Sequence, residues 1–192
     1  MKKALFIDCC LRKPSNTKLL AEEFLKELKD YEIKHLVLED ENLKPLVGEF
    51  FNSRQELLDK DDRTDPRFNY AYEFKNADLV IIAAPFWDLS FPALLKIYIE
   101  NISVDGITFS STENGLVGLC KADNLIYLTT RGGIYIDDPM EQAIPHLNAL
   151  SKFFGFKNFK YVAADGMNVE GFDSKKSLED AIQQARDIAK TL

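Results

Sequence analysis

The segment Ala77-Asp78-Leu79-Val80-Ile81-Ile82-Ala83-Ala84-Pro85 constrains this chain more than any other. From Leu79 onward its apolar residues run without alternation and stop at a proline. Such a run suits a strand buried on both faces, which arises where helices cover both sides of a parallel sheet. Ala4-Leu5-Phe6-Ile7 reads the same way, and Tyr31 to Leu38, Asn124 to Thr130 and Phe159 to Ala164 supply three further strands. Amphipathic segments separate them. Leu20, Phe24 and Leu28 recur at steps of four after Thr17, with Glu22, Glu23, Lys26 and Lys29 on the other side.

Pro92 suits the first turn of a helix reaching about Asn101. Another helix is predicted from about Pro139 to Gly155, a glycine of the kind that ends helices. Ser174 or Asp173 caps a last helix carrying Leu178, Ile182, Ala185 and Ile188-Ala189. The alternation predicts an α/β fold, with a doubly wound five-stranded parallel sheet in the order 2-1-3-4-5 and helices on both faces. The 192 residues read as one domain. Residues 39–69 are the least legible: Phe50-Phe51 and Leu57-Leu58 suggest one short helix, and Lys60 to Pro66 an exposed loop before a helix near 67–76. Residues 104–118, with Gly106, Gly115 and Gly118, read as irregular or as a small hairpin.

In such sheets ligands bind beyond the carboxyl ends of the strands, where the strand order reverses. That rule selects three loops, 9–17, 85–91 and 129–135. The first holds Ser15, Asn16 and Thr17 directly before a helix. Unpaired amides and a partial positive charge at a helix start suit a phosphate; the same residues also make an ordinary N-cap. The second puts Phe86, Trp87 and Leu89 at a strand end, ready to meet a flat ligand or to pack on loop 39–69 or a partner subunit. The third, Thr129-Thr130-Arg131-Gly132-Gly133, lets backbone approach a ligand closely or simply turns. Tyr135 follows, able to donate a hydrogen bond to a substrate or to pack.

Several chemistries are excluded. A nicotinamide-binding G-x-G-x-x-G is absent from the first loop, which has no glycine, and no G-x-x-x-x-G-K-[ST] phosphate loop occurs. A receiver domain needs an acceptor aspartate ending the third strand, where this chain has Ala83-Ala84-Pro85. A low-molecular-weight phosphatase needs Cys, five residues and Arg; six residues beyond Cys9 and Cys10 stand Ser15 and Asn16. His35 and His146 lack ligand-like spacing, so no metal is expected. A net charge of −7 argues against nucleic acid as the main partner. Cys9, Cys10 and Cys120 make no disulfide framework. No signal peptide is legible behind Met1-Lys2-Lys3, and no apolar stretch nears the roughly 20 residues of a membrane span, so a cytoplasmic protein is expected.

Taken in order, the loops form a recognisable set. Ser15-Asn16-Thr17 with Leu20 and Phe24, Ala83 to Leu89 with Pro92-Ala93 and Lys96, and Thr130-Arg131-Gly132-Gly133-Ile134 resemble the FMN-dependent NAD(P)H:quinone oxidoreductase and azoreductase family. Gly106-Ile107-Thr108-Phe109, Thr112-Glu113-Asn114-Gly115-Leu116 and Gly166 are similar to it as well. The resemblance implies a flavodoxin-like fold, and FMN phosphate at Ser15, Asn16 and Thr17. It places the isoalloxazine against Pro85, Phe86, Trp87, Asp88 and Leu89, with the pyrimidine end near Thr130, Arg131, Gly132 and Gly133. It implies ping-pong hydride transfer from NAD(P)H to a quinone, azo compound or similar small-molecule electron acceptor, with Tyr135 orienting the acceptor. It also implies a homodimer whose interface completes the site. Two departures stand out: Cys9 replaces a frequent serine near the cofactor, and Asp88 stands where many azoreductases have asparagine. A flavodoxin-like electron carrier without its own substrate is the alternative, as is a fold member that no longer holds flavin. The segments 39–69 and 104–118 favour an enzyme, since they can wall a pocket or build a dimer interface.

Overall fold

The computed structural model describes every residue but Asn114, one position of the family-like segment named above, which lies outside the described residues. Strand β1 spans Lys2–Asp8, β2 Tyr31–Val37, β3 Leu79–Ala83, β4 Phe109–Thr112, β5 Gly115–Gly118, β6 Asn124–Thr130 and β7 Asn158–Ala164. Helix α1 spans Asn16–Leu25, α2 Gly48–Asp59, α3 Asn69–Asn76, α4 Ala93–Ile102, α5 Ala143–Phe154 and α6 Ser174–Ala189. The main sheet runs β2-β1-β3-β6-β7, all pairs parallel. This is the expected 2-1-3-4-5 order, with β6 and β7 as its fourth and fifth strands.

The sheet divides the core by strand periodicity. Leu5, Ile7, Val80, Ile82, Leu125 and Tyr127 face one side and pack with α3, α4 and α5 through Phe74, Leu95, Tyr98, Ile102, Leu147 and Phe154. Ala4, Phe6, Leu79, Ile81, Ile126 and Leu128 face the other, against Leu20 and Phe24 of α1 and Ala181, Ala185 and Ala189 of α6. β3 is buried at every position, as its unbroken apolar run requires. β2, at the sheet edge, buries little beyond Leu36.

Some boundaries differ from expectation for local reasons. Pro92 caps α4 from outside rather than sitting within its first turn. α5 begins at Ala143, after Pro139, because Glu141 turns its carboxylate onto the amides of Ala143 and Ile144 at 3.0 and 3.1 Å. Asp173 caps α6, accepting from the Lys176 amide at 2.9 Å. Phe109–Thr112 and Gly115–Gly118 pair antiparallel as the small hairpin β4–β5. It packs against the end of α5, where Phe109 meets Phe153 at 4.5 Å between ring centroids.

Candidate cofactor site

Four loops leave the carboxyl ends of β1, β3, β6 and β7, and backbone hydrogen bonds lock their first residues together. Cys9 N–H donates to Ala83 at 2.8 Å, Phe86 N–H to Thr130 at 3.2 Å, and Arg131 N–H to Ala164 at 2.8 Å. Beyond the sheet the last two loops stay zipped. Met167 N–H donates to Arg131 at 3.0 Å, Asn168 to Gly132 at 2.9 Å and Gly166 to Gly133 at 2.8 Å. The loops enclose a cavity of about 310 Å³, within the usual range for a small-molecule site.

Nine expected residues line this cavity: Ser15, Asn16, Thr17, Pro85, Phe86, Trp87, Thr130, Arg131 and Gly132. Ser15 caps α1, its Oγ accepting from the Lys18 amide at 3.2 Å. The amides of Asn16 and Thr17 stand at the first two helical positions, where no carbonyl lies one turn earlier to receive them. Thr17 and Thr130 share one hydrogen bond between hydroxyls at 2.7 Å. Either hydroxyl can donate in that bond, which ties the start of α1 to the end of β6.

The aromatic wall rests on a strained turn. Trp87 and Ser90 exchange two backbone hydrogen bonds of 2.9 Å around Asp88 and Leu89, whose φ angles are +49° and +65°. Left-handed non-glycine residues cost roughly 1 kcal/mol or more each and persist where the surroundings hold them. Here Gln142 N–H donates to Leu89 at 3.0 Å. The turn leaves Trp87 37% exposed at the cavity mouth. Asp88 and Leu89 form its tip and do not line the cavity.

Three other expected residues stand back from the cavity. Cys9 is fully buried in the core beside the β1 end, and burial pushes its thiol up to about 12, far from thiolate chemistry. Gly133 lies behind Tyr135, whose ring packs on Phe86 at 4.7 Å between centroids. Tyr135 therefore reaches the site through Phe86. Arg131 lines the cavity but is only 4% exposed and is held by the Asp165 carboxylate, which also accepts from the Tyr135 amide at 3.1 Å. No described residue of 39–69 or 104–118 lines the cavity. Arg12, Pro14, Met167 and Asn168 do, although nothing in their local sequence marks them.

A second charged group supports the first loop from behind. The Asp8 carboxylate contacts Lys18, His35 Nε2 at 2.9 Å and the Cys10 amide at 3.0 Å. Burial raises the Asp8 carboxyl, but these donors outweigh it and hold the group below its ordinary value of 3.8. A depressed carboxylate stabilises the fold fully above its unfolded value, and the contribution fades as pH falls through the lower folded one. Asp8→Asn is therefore expected to cost about 1–3 kcal/mol at neutral pH, because it strips partners from a buried acceptor. Thermal unfolding across pH checks this: the gap between the two proteins narrows as pH drops below 3.8.

A five-stranded parallel sheet in this order, with a cavity at its switch point, defines a flavodoxin-like protein. The sequence profile described as flavodoxin-like fold matches residues 2–189. The chain is 35% identical over 200 residues to the FMN-dependent NADH:quinone oxidoreductase 2 of Clostridium perfringens (strain 13 / Type A), covering 99% of each. It is 37% identical over 186 residues to an FMN-dependent NADH:quinone oxidoreductase of Coprothermobacter proteolyticus, covering 92% of this chain and 91% of that protein. The solved azoreductase from Bacillus anthracis str. Sterne matches with a TM-score of 0.88 at 26% identity, each chain covered in full. The chain belongs to the flavodoxin-like family that contains these FMN-dependent NADH:quinone oxidoreductases.

Proposed function

We propose that this chain is an FMN-dependent oxidoreductase that passes electrons from NADH or NADPH to quinones, azo compounds or similar acceptors, by a ping-pong mechanism. The observation that carries the reading is one cavity joining a helix start, with two amides unserved by the helix, to an aromatic wall at a sheet switch point. The residues fit the cofactor: Ser15, Asn16 and Thr17 for its phosphate, Pro85, Phe86 and Trp87 for its ring, and Thr130, Arg131 and Gly132 for its polar edge. Bound FMN supplies two-electron transfer between nicotinamide and acceptor. The chain supplies position and charge. Amides at the α1 start offset phosphate charge, and the Gly132 backbone lies open to ring acceptors, where a methyl group would press on the Asn168 side chain at 3.0 Å. Tyr135 positions Phe86 and, through it, the acceptor.

The chain that continues from Gly132 and Gly133 carries exposed Ile134, Ile136 and Met140, with Ile136 72% exposed. That apolar stretch supports assembly with a second copy of the chain. Cys9, Cys10 and Cys120 are free, as a reducing cytoplasm would keep them.

The test is direct. Purified protein titrated with FMN is expected to bind it with a changed visible spectrum. The loaded protein should oxidise about one NADH or NADPH per FMN without an acceptor and turn over continuously only when a quinone or azo acceptor is present, with parallel double-reciprocal plots. Binding without turnover on any acceptor would overturn the enzymatic reading in favour of a carrier.

A further inference from the structure

We propose that Arg12 is the side chain that neutralises the cofactor phosphate and so makes this cavity select the phosphorylated flavin over the unphosphorylated one. The inference rests on the FMN reading above and deepens it.

A phosphate monoester carries about −1.5 to −2 at neutral pH. The α1 start offers the equivalent of about half a positive charge. The chain carries −7 overall, so no diffuse positive field makes up the difference. A full cation at the site would offset the remainder, and four basic side chains stand in or around the first loop and the cavity. Arg131 is committed, being buried and paired with Asp165. Lys18 is committed to Asp8, with His35 Nε2 3.1 Å from its Nζ. Arg12 lines the cavity beside Pro14 and Ser15 and makes none of the ion pairs found among the described residues. Arg12 also lines the adjoining cavity with Glu39 and Asp40, and it pairs with neither. Lys13 is exposed and lines only that adjoining cavity.

The two committed basic groups also explain why Arg12 is free. Asp165 and Asp8 each take a cation out of play, and in doing so they fix the loops on either side of the phosphate position. The guanidinium left over has the planar fork that matches phosphate oxygens in pairs.

Titrating cofactor-free protein with FMN and with riboflavin, by flavin fluorescence, separates the phosphate from the ring. Arg12→Gln is expected to weaken FMN binding by about 10-fold to 100-fold. It should leave riboflavin binding unchanged, and the FMN affinity of the variant should fall less steeply with added salt than that of the wild type. Arg12→Lys should recover part of the loss, because it keeps the charge and loses the fork. An FMN affinity that holds in Arg12→Gln overturns the proposal, as does a parallel loss of riboflavin. Wild-type protein that binds neither flavin overturns the cofactor reading itself, and this proposal with it.

Discussion

Asp165→Ala is expected to lower the stability of the folded chain by about 3–5 kcal/mol, because it strands the Arg131 guanidinium in a place where it is 4% exposed. For a chain of this size that is roughly 10 °C or more in melting temperature. The carboxylate does two jobs at once: it holds Arg131 and accepts from the Tyr135 amide at 3.1 Å. Removing it frees the start of the loop that presents Gly132 to the cavity. FMN affinity should therefore drop along with stability. Asp165→Asn keeps the shape and one acceptor oxygen, so it should lose less on both scales. Thermal unfolding and FMN titration of the two variants check the ranking; an unchanged melting temperature in Asp165→Ala would show that the ion pair contributes nothing.

The same pair shows where sequence reading stops. Arg131 was legible as a residue of the third loop, but as one poised toward a ligand. Its partner lies 34 positions away and carries no motif. The strands β1, β3 and β6 were legible because burial on both faces leaves a continuous apolar run. Ser15 to Thr17 were legible because a cap and a phosphate site ask for the same residues at the same place. Arg12 and Asn168 were not, because an exposed polar residue in a loop looks alike whether or not it borders a cavity. Cys9 shows the converse: its place at the end of β1 suggested the cofactor, yet the side chain faces the core. The helix start at Ala143 was missed because Glu141, a poor cap by composition, caps it through a folded-back carboxylate. The segments 39–69 and 104–118 read in sequence as pocket walls or a dimer interface; their described residues stand away from the cavity, packing on the α3–α5 side of the sheet and at the end of α5.

That hairpin carries the other large effect. At Gly118 of β5 an added methyl group would lie 2.1 Å from the Gly155 nitrogen and 2.1 Å from the Phe154 carbonyl carbon. Both are backbone atoms and cannot swing aside. Gly155 cannot yield easily either, since it ends α5 with φ +92° and turns the chain toward β7. Cys120 N–H donates to Phe154 at 3.1 Å and ties the hairpin's exit to the same point. Gly118→Ala must therefore push the hairpin off α5 or distort the helix end, at about 3 kcal/mol. The damage falls at the end of α5 remote from the cavity, because the helix returns from the β6 carboxyl end toward the start of β7. Melting temperature should drop by an amount comparable to that in Asp165→Ala. FMN affinity of the folded protein, measured well below the midpoint, should stay at the wild-type value. The two variants together separate a loop held for the site from a contact held for the fold: equal losses of affinity in both would mean that the cavity depends on overall stability rather than on the Arg131–Asp165 anchor.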